Sequence, residues 1–112
     1  MAEINWEDFE KVEIRVGTIV KAENFPEAKH PAYKLTIDFG KEIGQRKSSA
    51  QITRRYTSEE LAGRQIVAVL NFPEKQIANF MSQCLVLGAV GDNNDVVLLS
   101  TDQRVENGLR IG

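Results

Sequence analysis

Two stretches of this chain carry side chains able to hold another molecule. The first is Gln45 to Tyr56, QRKSSAQITRRY, with Arg46, Lys47, Arg54 and Arg55 and no acid. Cations interleaved with amides, hydroxyls and a tyrosine can track a phosphate backbone or an acidic peptide. The same pattern describes a solvated strand edge, which proteins protect with Lys and Arg. Lys47, Ser49, Gln51 and Arg54 are the binding candidates here. The second stretch is Asn71 to Gly88, NFPEKQIANFMSQCLVLG. Asn71, Lys75, Asn79, Ser82 and Gln83 offer polar groups to phosphate or peptide backbone. Phe72, Phe80 and Met81 offer surfaces for stacking or packing. Phe72 and Phe80 could equally close one end of a barrel, whereas Met81 is expected to be exposed, where a flexible thioether adapts to varied partners. Apolar side chains beside amides and a lysine suit the holding of a chain molecule, not the cutting of covalent bonds.

The residue types of catalysis are sparse. His30 is the only histidine and sits between Lys29 and Pro31. One histidine and one distant cysteine do not make a zinc site. Asp92-Asn93-Asn94-Asp95 lacks the glycine and distal glutamate of a calcium-binding loop and reads as a hairpin turn. Ser48 and Ser49 have neither a neighbouring histidine nor a GxSxG frame. No P-loop or GxGxxG is present. The expectation is a binding protein, not an enzyme, with no cofactor. Cys84, in the apolar run Cys84-Leu85-Val86-Leu87, reads as a buried thiol acting as a small hydrophobe.

The elements that position these stretches follow from length and periodicity. A chain of 112 residues is expected to form one domain over 1–112. A domain this small buries a modest fraction of its surface, so oligomerisation is a plausible further source of stability. The hydrophobic content of 42% excludes a disordered chain, and the formal charge of −2 argues against a strongly basic nucleic-acid binder, though not against a local basic patch. A lone cysteine allows no internal disulfide, the N-terminus has acids where a secretory signal has bases, and no apolar run reaches membrane-spanning length. A soluble, cytoplasmic protein is expected.

A short helix is predicted over about residues 6–11, with Asn5 as N-cap, Glu7 and Asp8 in its first turn, and Ile4 stapled to Phe9. Trp6 and Phe9 share a face that either caps the core or meets a second subunit. Val12, Ile14 and Val16 alternate with Glu13 and Arg15, and Gly17 interrupts the pattern, marking a bulge or bend in a long first strand. Tyr33, Leu35, Ile37 and Phe39 alternate with Lys34, Thr36 and Asp38. In the third strand Ser48, Ala50 and Ile52 point inwards, and Lys47, Ser49 and Gln51 outwards. Thr57 and Glu60 form a capping box for a short helix that Gly63 ends. Strands 65–70, 83–90 and 96–100 follow, with a turn at Gly91 to Asp95 and a tail pinned by Val105, Leu109 and Ile111. This order predicts an all-β fold: a five-stranded OB-fold Greek-key barrel with a short N-terminal helix and a short helix between strands 3 and 4.

The strings DFEKVEIRVGTIVKAENFPEA (Asp8 to Ala28), PAYKLTIDFG (Pro31 to Gly40), KSSAQIT (Lys47 to Thr53), VLNFPEKQIANFMSQCLVLG (Val69 to Gly88) and VENGLRIG (Val105 to Gly112) resemble the CsaA-type export-related chaperones. That family lies within a wider group of tRNA-binding domains. The resemblance covers nearly the whole chain in order. It implies an OB-fold, a symmetric homodimer, and binding of unfolded or precursor polypeptides with a link to the export machinery; structure-specific tRNA binding is the alternative that the wider group implies. Asn71, Lys75 and Ser82 match the wider group's loop, and Lys47, Ser48, Ser49 and Gln51 carry over from KSSAQIT. Glu74 after Pro73, Met81 at a position that is often basic, and Cys84-Leu85 in place of Gly-Met depart from the tRNA pattern, and they lean the loop towards peptide.

Overall fold

The structure is a computed structural model that describes residues 1–112. Its organising strand is β1 (Ile14–Asn24), long enough to serve two neighbours. The second half of β1 pairs antiparallel with β2 (Tyr33–Asp38), and the first half with β4 (Gln65–Val69). β2 shows the cleanest alternation: Tyr33, Leu35 and Ile37 are buried, and Lys34, Thr36 and Asp38 lie nearer the surface. β3 (Gln45–Ala50) pairs antiparallel with β2, and its alternation sends Ser48 and Ala50 inwards as expected.

The first strand does bend, but not at Gly17. Its register shifts between Ile19 and Lys21, and Val20 stands 45% exposed there. Gly17 is needed for another reason: a Cβ there would lie 2.7 Å from Ile37 Cγ2 and from the Phe39 ring. It marks a close approach of backbone to core side chains, the other meaning of a strand glycine.

α2 (Ser58–Leu61) connects β3 to β4, and its capping box joins Thr57 and Glu60. Leu61 enters the core, fully buried with Ile19, Leu35, Ile37 and Ile66. Gly63 follows at φ +91°, a left-handed backbone that suits glycine at a helix end. β4 is buried throughout.

The segment from Asn71 to Gly88 is more regular than the long loop expected. It contains a hairpin, β5 (Lys75–Ile77) and β6 (Phe80–Ser82), turned at Ala78 and Asn79. Only β6 bonds to β5, and the three residues of each are too few to show a period in sequence. The expected strand 83–90 is likewise divided. β7 (Leu85–Val86) pairs with β4, whereas β8 (Gly88–Val90) leaves the barrel to pair with β9 (Val96–Leu98). The switch falls at Gly88, where a Cβ would stand 2.6 Å from Val96 Cγ1 and 2.9 Å from the Val97 carbonyl oxygen. The turn between β8 and β9 is a short 3-10 turn, Asp92–Asn94, with Asn93 and Asn94 at φ 56° and 58°. Asparagine tolerates that region better than most residues.

The main sheet runs β3-β2-β1-β4-β7. Its ends nearly meet, because the Gln83 N–H donates to the Lys47 carbonyl at 2.7 Å and Ser48 Oγ donates to the Cys84 carbonyl at 3.1 Å. The result is the all-β, five-stranded, nearly closed OB-fold barrel with two short helices. α1 (Trp6–Glu10) starts at Asn5, with a capping box to Asp8. Trp6 lies edge-on to Phe9, 6.5 Å between centroids, yet it is 79% exposed. It therefore does not cap this barrel's core. Ile4, expected to staple the helix, is exposed as well. The C-terminal tail is pinned by backbone and by polar side chains: Gly108 N–H donates to the Val16 carbonyl and Ile111 N–H to the Ile14 carbonyl, and the Gln65 amide bonds the Val105 backbone through both its oxygen and its nitrogen.

Candidate functional site

Alternation along β3 creates the floor of a cleft. Ala50 and Ile52 turn inwards and, with Cys84, form a buried apolar base. Ser49 and Gln51, one residue out of phase, face the opening. The hairpin adds Lys75 and Ser82, which are cross-strand partners. Phe72, Leu85, Val90 and Val96 complete the apolar lining of a cleft of about 590 Å³. Nine of its sixteen lining residues are hydrophobic, the mixture of apolar surface and few polar groups that ligand clefts favour. The polar groups are incompletely used. Ser82 Oγ accepts from the Ser49 N–H at 3.1 Å, which leaves the Ser82 hydroxyl hydrogen free. The side chains of Gln51, Lys75 and Asn94 have no hydrogen-bond partner within the chain.

Five of the ten expected site residues meet here: Ser49, Gln51, Phe72, Lys75 and Ser82. The other five lie elsewhere. Phe80 packs edge-on against Phe25 at 5.4 Å, with the Lys34 ammonium 5.0 Å and 5.8 Å from the two ring centroids. It packs on Phe25 and Lys34, outside the core cluster, and does not line the cleft. Met81 is 45% exposed as expected, but it is the cross-strand partner of Gln76 and stands outside the cleft lining. Asn71 is a structural clasp: its Nδ2 donates to the Lys11 carbonyl at 2.6 Å, and its Oδ1 accepts from the Glu13 N–H at 3.0 Å. The basic run is divided too. Arg46 donates to the Leu70 carbonyl and Arg54 to the Asn93 carbonyl, and Arg55 clasps Asp95 with two nitrogens. Lys47 stands on the outer face of the sheet, in one row with Thr36 and Lys21. Its backbone N–H bonds to Gln83 Oε1 at 3.0 Å.

The charges follow these partners. The hydrogen bond from Arg55 holds the Asp95 carboxyl below its ordinary range and, reciprocally, raises the arginine. The hydrogen bond from Arg15 likewise lowers Glu13, against a smaller opposing effect of burial. Burial pushes the Cys84 thiol up to about 11, so it is neutral at physiological pH. Cys84 is the expected small hydrophobe. No group of three or more His, Cys, Asp and Glu side chains gathers closely enough to hold a metal ion. No helix is long and apolar enough to cross a membrane.

Several lining residues escaped the sequence reading. Leu85, Val86, Val90 and Val96 read there as ordinary core-strand residues. Leu85 and Val90 are in fact exposed, whereas Val86 and Val96 are half-buried and pack against the core while also lining the cleft. Asn94 read as turn chemistry alone. Ile77 was legible only as one apolar residue in a polar loop.

A second hollow of about 610 Å³ lies at Arg15, Phe39, Gly40 and the tail residues Asn107 and Gly108. Two of its polar lining residues, Arg15 and Asn107, are bonded within the chain, whereas the side chains of Lys41, Glu42 and Glu106 have no partner there. Asn107 Oδ1 accepts from Thr18 Oγ1 at 2.8 Å and from Gln65 Nε2 at 3.1 Å. Arg15 donates to the Gly108 carbonyl and to Glu13.

Comparison with known proteins agrees with this architecture. Residues 14–110 match the family described as "Putative tRNA binding domain". The methionine–tRNA ligase of Archaeoglobus fulgidus is 38% identical over 109 residues, covering 97% of this chain but 16% of the ligase. The chain spans about a sixth of the length of the curated relatives it matches. Among solved structures, the chaperone CsaA of Bacillus anthracis is 52% identical with a TM-score of 0.94, covering 99% of this chain and 100% of that one. CsaA of Picrophilus torridus is 51% identical with a TM-score of 0.91, over 98% and 100% of the two chains. A protein of Pyrococcus horikoshii described as related to methionyl-tRNA synthetase is 28% identical with a TM-score of 0.87, over the whole of both chains. The matched family is one of binding domains, and the ligases that contain it extend far beyond the matched segment. On this evidence the chain belongs to the tRNA-binding-domain family and, within it, to the CsaA type.

Proposed function

We propose that this protein is a single, non-enzymatic binding module that holds unfolded or export-destined polypeptide segments. One observation carries the reading: the cleft between β3, the β5–β6 hairpin and β8–β9 combines a buried apolar floor with polar side chains that have no partner in the chain. Apolar side chains of a client would leave water against Ile52, Phe72, Leu85 and Val90. Ser49, Gln51, Ser82 and Asn94 would supply hydrogen bonds to its backbone. The action is passive, by shielding, and involves no cofactor. The likeness to the two CsaA chaperones supports it.

Homodimerisation belongs to the same proposal. The N-terminal helix with Trp6, or the C-terminal strands, would supply the contact; Ile4 and Trp6 stand 71% and 79% exposed, and Val97 and Leu99 40% and 45%. Sedimentation at micromolar concentration is expected to give twice the chain mass of 12.6 kDa; the chain mass itself would refute the dimer. A cytoplasmic location, upstream of export, completes the picture.

The family's description favours one second reading, tRNA binding. Lys21, Lys34 and Lys47 on the outer face of β1, β2 and β3 are the residues that would serve it. Salt separates the two. Phosphate contacts weaken steeply with salt through counterion release, whereas apolar capture weakens little. Titrating an unfolded precursor polypeptide and tRNA at several salt concentrations is the test. Peptide affinity that persists at high salt supports the chaperone reading; salt-sensitive tRNA binding without peptide binding overturns it.

A further inference from the structure

The cleft has a charge preference of its own. Among its lining residues Lys75 is the only one charged at neutral pH, since Cys84 is neutral there. No salt bridge engages Lys75 within the chain. Arg46 donates to the Leu70 carbonyl, Arg54 to the Asn93 carbonyl and Arg55 to Asp95, and none of these three, nor Lys47, lines the cleft. The one acid beside it in sequence, Glu74, neither lines the cleft nor bonds to Lys75. Across the hairpin from Lys75 lies Ser82, whose oxygen already accepts from Ser49 and whose O–H is left to donate. An unpaired ammonium and a free hydroxyl on neighbouring strands make a two-donor seat for a carboxylate. The surface next to that seat, Phe72, Pro73 and Ile77, is apolar.

Resting on the polypeptide reading above, we infer that the cleft selects extended segments in which an acidic side chain adjoins a short apolar run, with Lys75 and Ser82 receiving the carboxylate. An aspartate or glutamate there gains the charge-assisted hydrogen bond that neutral residues lack. A lysine or arginine meets like charge. A nucleic-acid phosphate would also satisfy Lys75, but it would leave the apolar floor of Ala50 and Ile52 without a matching surface. The cleft is therefore selective among polypeptides, not merely sticky.

The test uses the whole protein and three fluorescent peptides that share one apolar run and differ at one flanking residue, Asp, Asn or Lys. Anisotropy titration at low salt is expected to rank them Asp, Asn, Lys, with steps of about three- to fivefold for a partly solvated ion pair. The ranking should narrow at 0.5 M salt by screening, to roughly twofold or less. Lys75→Gln should flatten it and Lys75→Glu reverse it, with thermal unfolding unchanged. Lys21→Glu, on the outer face, should leave it intact. Equal affinities for the three peptides, or an unchanged order in Lys75→Glu, would overturn the charge preference while leaving peptide capture standing. Failure of all three peptides to bind would overturn capture and preference together. Displacement of bound Asp peptide by single-stranded RNA at equal or lower concentration would also overturn the preference, because it would assign Lys75 to phosphate.

Discussion

The two hollows of this barrel are almost equal in size, about 590 and 610 Å³, and differ in lining: nine of sixteen residues are hydrophobic in the cleft and three of ten at the tail end. At the tail end, Thr18 and Gln65 converge on the amide oxygen of Asn107, and Arg15 is held between Glu13 and the Gly108 carbonyl. Those bonds tie the C-terminal tail to β1 and β4. At the other end, Gln51, Lys75 and Asn94 point to solvent from an apolar lining with nothing in the chain to bond. Volume does not distinguish a structural hollow from a binding one here. The apolar character of the lining does, and the bonded Arg15 and Asn107 of the tail-end hollow gain little by turning to a ligand.

That contrast breaks most severely at the tail end. Gly17→Val should destabilise the fold by about 3 kcal/mol, since the new side chain would intrude on Ile37 and Phe39 beneath that hollow. Chemical denaturation measures it, and a loss within error of zero would mean that the close approach relaxes freely. Asn107→Ala comes next, at about 1–2 kcal/mol, because it strands the partly buried Thr18 hydroxyl and removes the second acceptor of Gln65 Nε2, which keeps the Val105 carbonyl. Peptide affinity of the folded fraction should not change; a parallel loss of binding would show that the two ends are coupled.

The cleft should respond the other way round. Phe72 is 57% exposed, so Phe72→Ala should alter stability by no more than about 0.5 kcal/mol. Peptide binding should weaken about tenfold if Phe72 is one of the apolar anchors. Unchanged binding in calorimetric titration would remove it from the site.

The smallest effect concerns pH. Asp95 and Glu13 both have lowered carboxyl pKa values, mainly from the hydrogen bonds of Arg55 and Arg15. A carboxylate that is more acidic in the folded state contributes stability that is fully present above its unfolded value, near 4, and lost as pH falls through the lower folded value. Stability should therefore decline on acidification below about pH 4. In Arg55→Gln the Asp95 titration, followed by NMR, should return towards the ordinary carboxylate range. A titration that stays low would assign the shift to a different neighbour.

The elements themselves were largely legible. Tyr33, Leu35 and Ile37 announce β2 because a strand's period of two is written in consecutive residues. Asn5 with Asp8, and Thr57 with Glu60, announce the helix starts because a capping box spans three positions. The same locality explains the misses. The β5–β6 hairpin is too short for a period, and its turn holds Ala78 at φ +52° without the glycine that signals such turns. Gly17 could be read as special but not why, since Ile37 and Phe39, which crowd it, come from β2 and the residue just past that strand.

For the site, the sequence by itself determined the outward face of β3, the burial of Cys84 and the presence of a mixed polar and apolar stretch after β4. It also placed the chain in its family. Only the tertiary structure decided which of the candidate side chains remain available. Asn71 is consumed by Lys11 and Glu13, 60 and 58 residues away, Arg54 by Asn93 and Arg55 by Asp95, 39 and 40 residues away. A side chain's type and local phase are set by its neighbours in sequence. Whether its hydrogen-bonding capacity is already spent depends on groups that folding brings from far along the chain.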